Sequence, residues 1–284
     1  MATRYDTEQL TEAQFEQGSH GRVLKNLLGM RSKRAMDEME ASKMVEATDW
    51  AIRHVTADQL FTAADICQWH KQWLGELYPW AGEYRQVYIG KGGFMFAMSA
   101  QVPRLMQVFE RDVLARYTPC AFENLEEVLE ALAITHCELV LIHPFREGNG
   151  RISRLLSSLM ALQADLPLLD FSSIKGKKRE EYFAAVQASM GGDYEPMREI
   201  FRGWYRPAAS GLWRATWQKQ GKARVQPLFL RLQLPPKKAR LYVRRVDSPA
   251  HCASAGFVEV GILEPWLHYI GQNAIIQQSA TRSG

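Results

Sequence analysis

Between His143 and Arg154 the chain reads HPFREGNGRISR. One imidazole, one carboxylate, a Gly-Asn-Gly turn and two guanidiniums three residues apart fall within twelve positions. Gly148 and Gly150 allow backbone conformations closed to other residues, and Asn149 tolerates them. A helix starting after Gly150 leaves its first N–H groups without intrahelical partners. Those amides and the helix dipole form an anion site. Arg151 and Arg154 share one face of that helix. Two cations at the positive end of a helix are locally unfavourable, so an anion is expected there. A polyphosphate fits, because a guanidinium donates paired hydrogen bonds to phosphate oxygens. Glu147 beside a phosphate site calls for a bridging cation, and Mg²⁺ takes one carboxylate together with phosphate oxygens. His143 titrates near neutrality and can accept a proton from a nucleophile. Phe145 reads as a core anchor for the loop.

The elements around this segment must hold it rigidly. ENLEEVLEALAITHCELVLI is a long apolar helix ending at His143, and RISRLLSSLMALQ is a second one beginning after Gly150. KREEYFAAVQASM and Glu195 to Trp204 supply two more. Upstream, SKRAMDEMEASKMVEATDWAIRHV is a long helix, and TADQLFTAADICQWHKQWLGELYPW continues as helix, with Thr56-Ala57-Asp58 as its cap and Pro79 near its end. The period then changes. In EYRQVYIGKGGFMFA, β-branched and aromatic residues flank Gly90-Lys91-Gly92-Gly93, which reads as a β-hairpin. The expected fold is therefore all-α with a single hairpin. Residues 1–203 form the main domain and residues 204–284 a basic extension broken by prolines, in which QPLFLRL and ARLYVRRV are candidate strands.

The 284 residues, 46% of them hydrophobic, suffice for one large domain or a domain with a small addition. There is no run of about 18 apolar residues and no signal-like N-terminus, so the expected location is cytoplasmic. The four cysteines lack metal spacing and read as free thiols. From Trp204 onward there are 12 Lys/Arg against 3 Asp/Glu, a net of +9, which leaves −5 on residues 1–203. The basic tail leaves open a nucleic-acid or partner-binding role, although it carries no helix-turn-helix or zinc motif. Zinc-hydrolase and serine-hydrolase readings lack their HExxH and GxSxG patterns.

The segment HPFREGNGRISR resembles the signature of the Fic family, His-x-Phe-x-Asp/Glu-Gly-Asn-Gly-Arg-x-x-Arg, at every defining position. LYPWAGEYRQVYIGKGGFMFA is similar to the family's hairpin flap and its approach, and YFAAVQASMGGDYEPMREIF to its closing helices. The resemblance implies transfer of AMP from ATP to a Ser, Thr or Tyr hydroxyl of a target protein. It implies that His143 is the base and that Glu147 holds Mg²⁺. Gly148, Asn149 and Gly150 would bind phosphate through the turn, Asn149 adding its side chain, as would Arg151 toward the β-phosphate and Arg154 toward the γ-phosphate. Lys91, Gly92, Gly93 and Phe94 of the flap would lie beside target and nucleotide. Gln187 is a candidate for the adenine pocket.

Gly150 stands where the phosphate-transferring Doc branch usually has lysine, which favours AMP transfer. The inhibitory pattern Ser/Thr-x-x-x-Glu-Gly/Asn is incomplete: Ser42 and Glu46 have the spacing, but Ala47 follows. LKNLLGM followed by MDEMEA resembles the toxin branch whose inhibitor is a separate small antitoxin. The branch's targets are DNA gyrase and topoisomerase IV. Transfer of UMP, phosphate or phosphocholine stays open, since the motif fixes phosphate handling and not the base.

Overall fold

The computed structural model describes residues 9–205 apart from Gly92 and Leu168. Residues 206–284, which hold the basic tail beyond Tyr205 and its two candidate strands, lie outside the described residues.

The fold is helical with one small antiparallel hairpin. α1 (Lys33–His54) starts at Ser32, whose side chain accepts from the Ala35 N–H. α2 (Ala63–Leu74) starts at a capping box. The Thr62 side chain accepts from Asp65 N, and the Asp65 carboxylate accepts from Thr62 N. Expectation and structure part here. The chain leaves helix at Val55, and the cap is Thr62 rather than Thr56-Ala57-Asp58. The Thr-x-x-Asp signal at Thr62 satisfies two amides reciprocally, which the earlier triplet does not do.

The hairpin pairs β1 (Gly90–Lys91) with β2 (Phe94–Met95), with Gly90 opposite Met95 and Lys91 opposite Phe94. α3 (Val102–Phe109) runs through a π-helical turn (Glu110–Leu114) into α4 (Ala115–Tyr117). This helical stretch was not anticipated. Its apolar stripe of Val102, Met106, Phe109 and Leu114 is buried, but Pro103 and four charged residues from Glu110 to Arg116 obscure the pattern.

α5 (Leu125–Ile142) is the central helix, capped by Asn124 and packed against α6 (Asn149–Gln163) and α8 (Glu195–Trp204). α7 (Lys177–Ala188) closes one side. The apolar faces of α1, α2, α3, α5, α6 and α8 meet in one core. A buried polar link joins three helices: His136 of α5 contacts Ser157 Oγ of α6 at 3.0 Å and Tyr182 OH of α7 at 2.9 Å. The apolar stretch LKNLLGM is a turn built on Asn26. Its Oδ1 accepts from Leu28 N and Met30 N, and its Nδ2 donates to the Leu24 and Met30 carbonyls. No helix among the described residues is long and apolar enough to cross a membrane.

Candidate functional site

The loop between α5 and α6 is built from its backbone outward. α5 ends at His143, which adopts the left-handed conformation at φ 53 and ψ 58. That bend turns the ring back so that Nδ1 lies 3.0 Å from the Val140 carbonyl. A carbonyl only accepts, so the ring carries its proton on Nδ1 and its lone pair on Nε2. Phe96, just past β2, stacks on the imidazole at 3.6 Å and 12°. Burial, outweighing the Val140 carbonyl, pulls the His143 pKa down to about 4. The imidazole is therefore neutral at neutral pH.

α6 begins at Asn149, with Gly148 as its N-cap. Gly148 sits at φ 84, and a Cβ there would run into the Trp73 ring. Glycine is thus required twice over, by backbone and by space. Gly150 does not share the positive φ, because it lies inside the first turn of α6 rather than before it. The Asn149 side chain also departs from expectation. Oδ1 accepts from Phe145 N and Nδ2 donates to Phe145 O, both at 2.8 Å, so the amide is spent bracing the loop. The backbone amides of Asn149 and Gly150 donate no hydrogen bond among the described residues. The anion site of this helix start consists of those two N–H groups and the dipole.

Glu147 accepts through Oε1 from Gly148 N at 2.9 Å and from Arg151 Nη2 at 3.2 Å. Burial works against its charge. Arg151, the Gly148 N–H, Lys33 and Arg146 outweigh that and hold its pKa below the usual carboxylate value. The Glu147 side chain remains 40% exposed. No cluster of three or more His, Cys, Asp or Glu side chains suited to a metal occurs among the described residues. A cation held by one carboxylate and the substrate's phosphates suits this donor set, and an all-protein cage does not.

The two arginines of the motif point to different surroundings. Arg151 faces inward, its side chain 7% exposed. Nη1 lies 2.8 Å from Glu40 Oε2 and the guanidinium lies over the Trp73 ring at 4.3 Å. The expected β-phosphate ligand is thus held in a buried ion-pair network. Arg154, one turn further, is half-buried; burial chiefly lowers the pKa of Lys91 and His136, and the Arg154 charge adds to that lowering. Lys91 Nζ lies 5.3 Å from the centre of the Phe183 ring, and Arg179 lies 5.5 Å from the same ring. Desolvation, then the Arg179 charge, lowers the Lys91 pKa. The hairpin tip, α7 and Arg154 therefore converge in one electropositive corner. Gly93 adopts φ 79, and Phe94 meets Phe96 edge-on at 5.2 Å. Gly92 lies outside the described residues. Gln187 is exposed on α7.

Sequence reasoning missed the residues that hold this loop. Arg85 is 2% exposed. Its Nε donates to the His143 carbonyl at 2.6 Å and Nη1 to the Val87 carbonyl at 2.7 Å, while Nη2 donates to the Ala97 and Ile142 carbonyls. One side chain thus ties both ends of the hairpin to the end of α5. His70 stacks on Phe145 at 3.9 Å. Its Nδ1 accepts from Gly82 N at 2.8 Å, so its Nε2–H donates to the Glu147 carbonyl at 3.1 Å. The stretch AGEYRQV placed Arg85 between strand-like residues, where an arginine ordinarily reads as surface.

Fold and loop together define a class: helical domains that present a His-acid-glycine loop beneath a hairpin. Residues 60–161 match the family model described as Fic/DOC family, and the chain carries a Fic domain. It is 31% identical over 153 residues to the Drosophila melanogaster protein adenylyltransferase Fic. That match takes in 52% of this chain and 30% of the relative, so the chain spans about a third of that relative's length. Among solved structures, the Bartonella tribocorum protein BepC with bound AMPPNP is 22% identical at a TM-score of 0.56. It covers 71% of this chain and 100% of its own. The N-terminal Fic domain of an effector from Bartonella sp. AR 15-3 has a TM-score of 0.59 at 19% identity, covering 70% and 93%. These structures share the fold.

Proposed function

We propose that the chain is a protein adenylyltransferase that moves AMP from ATP to a hydroxyl of a target protein. The observation that carries this reading is the state of His143: a neutral ring, its proton committed to Val140 and its Nε2 lone pair kept, at the mouth of a two-amide helix start. The target hydroxyl oxygen attacks the α-phosphorus, and its proton passes to His143 Nε2. The bond from the α-phosphorus to the bridging oxygen breaks and pyrophosphate leaves. The Asn149 and Gly150 amides face the developing phosphate charge, and Arg154 and Lys91 clamp the outer phosphates. Mg²⁺ held by Glu147 supplies neutralisation of phosphate charge. Arg151 and Asn149 brace the loop. The adenylyltransferase names of the relatives, and the AMPPNP and ADP bound in two Bartonella domains, support the nucleotide assignment.

The edge of the hairpin, with Tyr88, Met95 and Met98 exposed, suits an extended target segment. Glu46, which has the spacing of the inhibitory glutamate, pairs instead with Lys43 at 3.0 Å. Inhibition by a separate antitoxin is consistent with that. DNA gyrase and topoisomerase IV are the first targets to test.

The test incubates the chain with Mg²⁺ and ATP labelled at the α-phosphate, in the presence of gyrase and topoisomerase IV subunits and of whole lysate. His143→Ala and a parallel reaction with γ-labelled ATP run beside it. Label from the α-phosphate on a protein band, absent with H143A, is the expected outcome. Label from the γ-phosphate alone would make it a phosphotransferase, and no label in lysate would sink the reading.

A further inference from the structure

Glu40 lies on α1, far in sequence from the motif, yet it is the closest carboxylate to Arg151. Its Oε2 is 2.8 Å from Arg151 Nη1, against 3.2 Å from Arg151 Nη2 to Glu147 Oε1. Glu40 is itself fixed from two sides. Tyr78 OH donates to its Oε1 at 2.7 Å, and Trp73 Nε1 donates to its backbone carbonyl at 2.8 Å. Its side chain is 3% exposed, whereas that of Glu147 is 40% exposed. One guanidinium is therefore shared by two carboxylates, and the buried one holds it more closely.

The charge balance has a consequence at the open end. Within this trio two carboxylates and one guanidinium leave a net charge of −1, and it falls at Glu147, because Glu40 and Arg151 neutralise each other in the interior; Lys33 and Arg146 act on Glu147 from outside the trio, and Lys33 is itself paired with Asp37 at 2.5 Å. A buried pair feels a lower dielectric than an exposed one, so the guanidinium is drawn inward. Without the Glu40 charge, Glu147 would be the only carboxylate bound to Arg151. The pair would then be neutral, and a divalent cation would have to displace a guanidinium.

We infer that Glu40 is a positioning residue for cation binding: by engaging Arg151 it leaves Glu147 free in charge for the Mg²⁺ that accompanies the nucleotide. This rests on the reading of the site given above. The acid on α1 acts through Arg151 and touches neither substrate nor cation.

The experiment is calorimetric titration of Mg²⁺ into the full chain saturated with ADP, paired with ADP titration in EDTA. Glu40→Gln is expected to weaken the cation by about tenfold or more, with cation-free ADP affinity within about twofold of the parent chain. Tyr78→Phe keeps the charge and removes one hydrogen bond, so cation affinity should stay unchanged despite lower stability. Glu40→Gln combined with Arg151→Gln removes both buried charges and should restore the cation affinity lost in E40Q. If E40Q fails to fold, that double variant carries the test alone. Parental cation affinity in it supports the inference, and loss of the cation overturns it. Unchanged affinity in E40Q, or an equal loss in Y78F, would overturn the inference and leave the nucleotide reading standing. A parent chain that takes up no nucleotide with Mg²⁺ would overturn both.

Discussion

Replacing Arg85 by alanine should unfasten the hairpin from the histidine. The Arg85 guanidinium donates to four backbone carbonyls: His143 and Ile142 at the end of α5, and Val87 and Ala97 at the two ends of the hairpin. None of these partners is a carboxylate. Burial lowers its pKa and the nearby Glu12 charge raises it, but a guanidinium stays protonated. The negative end of α5 contributes to keeping the charge there. A buried acceptor left without its donor costs roughly 1–3 kcal/mol, and bonds from a charged donor lie toward the upper end. Water entering the space would return part of this. Three short bonds lost then sum to about 3–5 kcal/mol in R85A. For a domain of this size that corresponds to a fall in Tm of about 10 °C. Arg85→Lys keeps the charge but not the planar fork, and should lose about half as much. Urea denaturation gives the free energy, and hydrogen exchange of the Ile89 to Met98 amides reports the hairpin directly. A loss below about 1 kcal/mol, or unchanged exchange in the hairpin, would refute the idea that this cation fastens it.

If His143 is the base, kcat/KM should hold through pH 6.5 and fall only as pH drops toward about 4, because the group must be deprotonated to work and burial depresses its pKa; an acid limb at 6.5 would contradict this. Three imidazoles, two buried and one half-buried, set an acid limit on stability. His70, His136 and His143 have pKa values pulled to about 4, about 3 and about 4, all led by burial. The unfolded chain takes up protons near pH 6.5 while the folded chain resists. Stability should therefore be full above pH 6.5 and decline from there toward pH 3–4, by on the order of 3 kcal/mol per ring, as read from urea melts across that window. Gly148→Ala places a methyl against Trp73 at a left-handed backbone position, and should cost roughly 2–4 kcal/mol by the same melts; a neutral result would mean the turn moves freely.

Much of this was legible because the relevant signals are local. The α5 and α8 boundaries follow from an apolar run that stops at His143 and from Pro196 in the first turn of α8. The hairpin follows from a change of period around glycines. What escaped was set by tertiary contact. Asp37, Glu38 and Glu40 are equivalent acids in a polar helix until folding places Arg151 opposite one of them. Gly148 and Gly150 look interchangeable in the motif, but only the first adopts a positive φ. Arg151 and Arg154 read as twins, and a helical rotation of three residues sends one to the interior and the other toward Lys91.

The hairpin is fastened at its base, and toward its tip Lys91 reaches over the Phe183 ring. Val87 and Ala97 are held by a side chain that also holds His143, while the strands between them pair over only two residues each. Substitutions at the exposed Tyr88 and Met95 therefore leave the Arg85 fastening and the His143 ring untouched, whereas Phe94 sits edge-on to the Phe96 that stacks on His143 and Lys91 belongs to the electropositive corner. On the adenylyltransferase reading proposed above, such a layout lets target choice diversify at the exposed positions while the base stays fixed, and it makes exchange of those side chains between related chains a route to redirecting specificity.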